Sequence, residues 1–430
     1  MKTLTRVAPL VVAAGSLLPA IAQAQEIDTG DTAWLLTSTA LVLFMTLPGL
    51  ALFYGGLVRT KNVLSVLMQC FAICCAISIV WLVYGYSLAF GSTAGGGIVG
   101  DFSRAWLAGV GLDTPSGTIP ESVFVMFQLT FAIITPALIV GGFAERMRFS
   151  AMLLFSILWA TVVYFPVTHW VWNAEGWLYA MDFRDFAGGA VVHVNAGVAA
   201  LVAALVLKNR RGFPSEPMPP HNLTMTVAGA SMLWVGWFGF NGGSALAAGG
   251  AAGMAILVTH ISAAAGSLAW MGMEWIRFGK PSVLGIVTGM VAGLGTITPA
   301  SGFVGPAGAL VIGLIAGVVC FLATQFIKRT LKIDDSLDVF PVHGVGGFLG
   351  LLLTAPLSLY LGGLGLPDGQ SVGGQFMVQL IGAGATIVWC GVATFVLLKL
   401  VGIVAPLRAP EDDERQGLDL TQHDERGYNL

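Results

Sequence analysis

Eleven long apolar runs constrain this 430-residue chain more than any other feature. They lie near 33–58, 63–90, 120–143, 149–172, 186–207, 224–246, 250–276, 283–300, 303–327, 338–360 and 373–405. A run of about 20 apolar residues, coiled as a helix, matches the roughly 30 Å hydrocarbon core of a bilayer. Inside that core every backbone N–H and C=O must be satisfied within the segment, so each run is expected to be a transmembrane helix. The fold class is therefore an all-α polytopic membrane protein. Only 10% of residues are charged, against about 25% in soluble domains. The 57 glycines are expected where membrane helices approach closely. "GGSALAAGGAAG", from Gly242, reads as packing surface, not as a phosphate loop. Nothing in the charge pattern points to a nucleic-acid partner. The five cysteines, Cys70, Cys74, Cys75, Cys320 and Cys390, lack metal-ligand spacing and read as buried free thiols.

Residues 1–24 have the form of a secretory signal peptide. Lys2 and Arg6 precede an apolar stretch, and "AQA" ends at Ala24 as a small-x-small cleavage site. That leaves an eleven-helix domain over 25–405 and a charged tail over 406–430. It also puts the mature N-terminus outside a bacterial inner membrane. The basic residues agree. Arg59, Lys61, Arg146, Arg148, Lys208, Arg210, Arg211, Arg277, Lys280, Lys328, Arg329 and Lys332 fall on connections that would be cytoplasmic, whereas only Arg104 and Arg184 fall on the others. Positive-inside logic then gives an N-out, C-in topology.

"DFAGGAVVHVNAG" from Asp185 and "DSLDVFPVHGVGG" from Asp335 share a pattern: Asp, seven residues, His, then small residues. They sit on the fifth and tenth segments, and "FYGG" at Phe53 echoes "FNGG" at Phe240 on the first and sixth. A five-segment unit has an odd number of spans, so a second copy enters the membrane inverted. Two inverted five-helix repeats plus an eleventh helix are expected, with a site near the midplane.

Eight residues of α-helix rise about 12 Å. His193, entering from outside, and His343, entering from inside, would then differ in depth by about 6 Å in a core of about 30 Å, close enough to meet. Paired intramembrane imidazoles mark a substrate or proton path. No third ligand at matching depth supports a metal site. His169 and His260 read as satisfied core histidines. Asp185, Asp335 and Asp338 stand where they can cap helix N-termini, and Asp185, on the outer side, could also stabilise an approaching cation. Phe127, Phe131, Trp172, Trp237 and Phe240 are candidate ring faces for a small cation, with Ser244 one turn from Phe240 as a hydrogen-bond acceptor.

These residues lie in motifs that resemble the ammonium transporters of the Amt/Mep/Rh family, specifically the bacterial Amt type: "DFAGGAVVHVNAG", "WFGFNGGSAL", "GGFAERMRF", "DDSLDVFPVHGVGGFLG" and the tail "GLDLTQHDERGYN". The resemblance covers essentially the whole mature chain. It implies a homotrimer with one path through each protomer and no cofactor. Trp172, Phe131, Ser244 and Phe127 would form an outer recruitment site for ammonium or its analogue methylammonium, with Asp185 as the buried acid below it. Phe131 and Phe240 would be a stacked gate, and His193 and His343 a twin-histidine pair lining the pore. A PII-type signal protein would dock on the cytoplasmic face. Two departures stand out. The connection from Trp172 to Asp185 is about one residue longer than in family members, and Pro341 replaces an expected Gly. A proline in the second turn is expected to kink the segment and shift His343.

The implied function is a channel-like transporter that binds the ammonium cation, removes its proton and conducts ammonia past the histidines. Whether a proton follows is left open. The alternatives are an ammonium sensor, a channel for another small polar solute such as carbon dioxide, and a membrane enzyme. Residues 406–430 are too few for a kinase or cyclase output domain, and no nucleophile has convincing spacing from the Asp and His residues.

Overall fold

The computed structural model describes residues 26–429, so the expected signal peptide lies outside the described residues. Among the described residues, eleven helices are long and apolar enough to span a membrane: α1 Thr29–Leu57, α2 Thr60–Phe90, α3 Glu121–Phe143, α4 Phe149–Trp172, α5 Gly189–Leu207, α6 Leu223–Gly243, α7 Gly250–Phe278, α8 Val283–Ala300, α9 Pro306–Thr330, α10 Phe340–Leu357 and α11 Val372–Val404. They match the eleven apolar runs one for one. The termini lie at opposite ends of the bundle, here called the N-terminal face and the tail face. α3 and α5 are the most enclosed spans, while α11 is largely exposed along the outside.

Two pairs of repeat-related helices cross at the centre. α5 meets α10 where Gly197 lies against Gly344, and a methyl group on Gly197 would overlap the Gly344 backbone. α1 meets α6 in the same way, with Gly229 against the backbone of Gly49 and Phe53. Glycine lets the backbones touch, which is how membrane helices gain packing energy without a hydrophobic drive between them. Repeat symmetry thus places the echoing motifs at two central crossings.

The start of α5 differs from the eight-residue α-helix expected between Asp185 and His193. The helix begins at Gly189, after a non-helical turn, and its first residues, Gly189–Val194, form a π-turn. α10 opens with a matching π-turn at Phe340–Gly344. The rise expected from α-helical spacing was therefore too long in both segments, and the histidines meet because the glycine crossing brings the helices together. Pro341 occupies the first turn of α10, not the second. An N–H there has no helical acceptor, so the proline removes no bond and the expected kink does not form.

Two short antiparallel hairpins, β1 Thr93–Ala94 with β2 Val99–Gly100 and β3 Pro115–Ser116 with β4 Ile119–Pro120, order the long connection on the N-terminal face. It is fastened to the end of α4, where Thr93 Oγ1 meets His169 Nε2 at 3.0 Å and Trp170 Nε1 donates to the Ile98 carbonyl at 2.7 Å. His169 is wholly buried, with Nδ1 3.1 Å from the Ala89 carbonyl. His260 is different: it lies on the exposed side of α7 beside Trp234, which overturns its reading as a core residue. Cys75 is also exposed and Cys74 half-buried, leaving Cys70, Cys320 and Cys390 as the buried thiols.

On the tail face, several basic residues are held in buried ion pairs and hydrogen bonds. Arg210 donates to both Asp334 oxygens and to Glu145, which also takes Arg59 and Asn62. Burial pushes the Glu145 carboxyl up, but Arg210 and Arg59 outweigh it and leave the group below its ordinary value. Arg146, fully buried, donates to the Gly142 and Asp334 carbonyls and to Ser336 Oγ. Burial lowers this guanidinium to about 10. The tail forms α12 Glu411–Gln416 and α13 Leu418–His423 and docks on its own protomer. Asp419 accepts the Leu64 and Ser65 N–H groups at 3.0 and 2.7 Å, completing the start of α2.

Candidate functional site

The sequence before α5 builds the site from the N-terminal face. Asp185 is buried, and its carboxylate caps the helix. Oδ1 accepts the Gly188 N–H at 3.0 Å and the Gly189 N–H, while Oδ2 accepts Ala190 at 2.7 Å and Val191 at 3.2 Å. Burial raises its proton affinity above the usual carboxylate value despite these four donors. Its carbonyl accepts Trp172 Nε1 at 2.9 Å, so the end of α4 and the start of α5 are tied at one residue.

Trp172, Asp185, Phe131 and Ser244 line one cavity of about 220 Å³ that opens toward the N-terminal face. Trp172 meets Phe131 edge-on, with ring centroids 5.7 Å apart. Ser244 ends α6 and donates to the Phe240 carbonyl at 2.8 Å, which commits its hydroxyl proton and leaves oxygen lone pairs to accept. Phe127 is absent from this lining. It packs edge-on behind Phe131 at 5.0 Å, supporting the ring instead of facing the cavity. Gln128, Phe124, Phe186 and Phe303 line it as well. Neither Gln128 nor Phe303 stands out in the sequence, because each reaches the cavity only through the helix packing.

Phe131 and Phe240 close the floor, with centroids 4.3 Å apart. Beneath them a narrow cavity of about 10 Å³, room for about one water, is lined by Trp237, Phe240, His193 and His343. The His193 and His343 rings lie nearly parallel and meet edge to edge, with centroids 5.2 Å apart, 18° between their planes and Nδ1 to Nδ1 at 3.2 Å. Trp237 lies nearly parallel to His193 at 5.4 Å and 20°, held by its Nε1 donating to Thr298 Oγ1 at 2.9 Å. His193 Nε2 is buried without a partner. In the hydrogen-bonded pair one Nδ1 carries the proton and the other accepts it, so one Nε2 is an acceptor and the other a donor. The pair can therefore offer both hydrogen-bond roles to a small neutral guest.

A third cavity of about 100 Å³ continues from His343 to the tail face, past Phe53, Val342, Ser336 and Lys328. Phe53 and Phe240, the two echo positions, thus stand below and above the imidazoles. Asp335 caps the start of α10, its Oδ2 accepting the Phe340 N–H at 2.7 Å. Burial, then the neighbouring Asp338, pushes this carboxyl up to about 7. Asp338 departs from the expected cap: its carboxylate pairs with Lys328 at 2.8 Å. Among the described residues no group of three or more His, Cys, Asp or Glu side chains is arranged to hold a metal ion.

The sequence model described as the Ammonium Transporter Family matches residues 33–428. The chain is 47% identical to a Bacillus subtilis protein named ammonium transporter, over 93% of this chain and 98% of that one. It is 45% identical to an ammonium transporter of Mycobacterium bovis, over 94% and 91%. Among solved structures, Saccharomyces cerevisiae Mep2 matches with a TM-score of 0.82 and 38% identity, over 90% of this chain and 91% of that one. A structure titled Sensor Amt Protein matches with a TM-score of 0.85 and 29% identity, over 91% and 98%.

Proposed function

The chain belongs to the Ammonium Transporter Family and transports ammonium, and from that premise we propose how the three aligned cavities carry it. The cation is recruited between Trp172, Phe131 and Ser244, where ring faces contribute about 0.5–2 kcal/mol and Ser244 accepts a hydrogen bond. Asp185 acts on it electrostatically, since both carboxylate oxygens are already occupied by backbone donors. A bare charge is heavily penalised in the apolar section below, so the cation gives its proton to water in the recruitment cavity above the Phe131–Phe240 gate and ammonia crosses. His193 and His343 then receive it through Nε2 donor and acceptor roles without adding a fixed charge. The observation that carries this reading is the imidazole pair bridging two cavities directly beneath an aromatic gate.

The basic residues support an outward N-terminal face and a cytoplasmic tail, in a bacterial inner membrane. The protein works as a homotrimer, and a PII-type signal protein docks on the tail face. The transporter names of its relatives fit a non-enzymatic role. A signalling role is the second reading, favoured by the neighbour titled as a sensor. Ammonium- and methylammonium-induced currents in proteoliposomes test the proposal, with His193→Ala as control. Saturable currents or methylammonium uptake lost in the variant support transport along this path, and binding with neither supports the sensor.

A further inference from the structure

α11 lies on the outside of the bundle, yet it carries a wholly buried amide, Gln379. All four hydrogen-bonding positions of that amide are used. Oε1 accepts the Arg184 N–H at 2.8 Å and Gln375 Nε2 at 3.2 Å. Nε2 donates to the Arg184 carbonyl at 2.8 Å and to the Leu351 carbonyl at 3.1 Å. Gln379 thus grips both backbone groups of one residue, as a neighbouring β-strand would. Gln375 adds a bond to the Asp182 carbonyl at 3.0 Å.

Arg184 immediately precedes Asp185, whose carbonyl holds Trp172 and whose carboxylate starts α5. The Arg184 side chain is anchored too, donating to the Gly365 carbonyl at 2.7 Å and lying 4.7 Å from the Phe303 ring centroid. Phe303 lines the same cavity as Trp172. We propose that Gln379 is a positioning residue of the recruitment site, setting the place of Asp185 and Trp172 through the Arg184 backbone. This rests on the reading of that cavity as the recruitment site.

The chemistry explains why the position holds glutamine. Leucine would fill the space but leave the Arg184 N–H and C=O unpaired in an apolar surrounding, a costly arrangement. Asparagine is one methylene too short for the reach. Helix association alone needs no such group, because one turn further along α11 Gly382 lies directly against the Phe183 ring.

The test uses the full-length protein in proteoliposomes and measures KM and kcat for methylammonium uptake. Gln379→Leu is expected to raise KM about tenfold with kcat retained, since misplacement of a binding group weakens capture before it touches the later steps. Gln379→Glu supplies a conservative check. Burial raises a carboxyl at this wholly buried position above the free value, so near pH 5 it is protonated and can both accept from and donate to Arg184, and its KM relative to wild type at the same pH should approach one. Near pH 8 the carboxylate cannot donate, and the ratio should rise toward that of the leucine variant. This series decides the matter even if the leucine variant fails to assemble. Trp172→Leu, measured alongside, separates the two layers of inference. An unchanged KM in Trp172→Leu removes the recruitment reading and the positioning role with it. A raised KM there, with wild-type KM for Gln379→Glu at both pH values or a fall in kcat alone for Gln379→Leu, overturns the positioning role only.

Discussion

His193 and His343 face one another Nδ1 to Nδ1 at 3.2 Å, although they are 150 residues apart. The contact fixes how many protons the pair carries when neutral on this edge: one Nδ1–H, shared between two nitrogens. It also couples the rings, so removing either leaves the other with an unpaired polar atom in a dry cavity. His193→Ala and His343→Ala are each expected to reduce ammonium current at least about tenfold, the scale of one or two lost hydrogen bonds. The widened section admits water, so a potassium leak is expected in the same recordings. Wild-type current and selectivity in both variants would remove the pair from the mechanism.

Asp185 invites an asparagine substitution, on the argument that Asn caps a helix as well as Asp. The four N–H groups gathered on two carboxylate oxygens change that expectation. Asparagine has one oxygen, and its NH2 group would face donors. Asp185→Asn is therefore expected to abolish uptake and also to destabilise the protein by about 1–3 kcal/mol, the cost of leaving buried N–H groups unpaired. Thermal unfolding in detergent, run beside the uptake assay, checks both parts. Lost uptake with unchanged unfolding temperature would make the role purely electrostatic, and full uptake would leave only the cap.

Asp335 gives a pH dependence whose sign follows from its environment. Burial raises this carboxyl to about 7, above an unfolded value near 4, so the folded state binds its proton more tightly. Stability is greatest below the unfolded value and declines as pH rises from about 4 to about 7, then levels off. The upper bound of the loss is about 4 kcal/mol. Asp335→Asn cannot ionise and is expected to flatten unfolding temperature over that window. A parallel decline in the variant and wild type would assign the dependence to other groups.

Much of this architecture was legible because the bilayer imposes length and composition on each span, and the apolar runs obey it. The twin histidines were legible through the repeat, since two Asp-to-His intervals of equal length cannot easily arise by packing alone. The details were not. The interval from Asp185 to His193 looks the same in sequence whether it is α-helix or a turn followed by a π-turn, and only the four N–H groups converging on Asp185 separate them. Phe127 and Phe131 lie one turn apart on α3, yet one lines the cavity and the other backs it. His260 carries no sequence mark that distinguishes an exposed helix face from a buried one. Gln379, one turn from Gln375 in an apolar span, carries no sequence mark of its role, because its main partner is the backbone of a distant connection.

The tail offers the last test. Its contacts within the protomer are extensive: Lys61 Nζ donates to the Glu414 carbonyl at 3.0 Å, Leu418 N–H to Asn62 Oδ1 at 2.9 Å, and Phe149 N–H to Gln422 Oε1 at 2.7 Å. The Tyr428 hydroxyl lies 3.0 Å from His221 Nε2. Together with the Asp419 cap on α2, these bonds fasten the starts of α2 and α4 and the connection before α6. Deleting 411–430 therefore strips helix caps as well as any docking surface, and is expected to lower unfolding temperature and uptake even without a partner protein. Asp419→Ala removes a single capping side chain, costing about 1–2 kcal/mol, and leaves the rest of the tail in sequence. If the tail carries the proposed PII contact, the truncated protein should lose PII binding and inhibition, whereas Asp419→Ala should keep binding at reduced stability. A pull-down with the matching PII protein and uptake with and without it read both. Equal binding and inhibition in the truncated protein would confine the tail to its capping role.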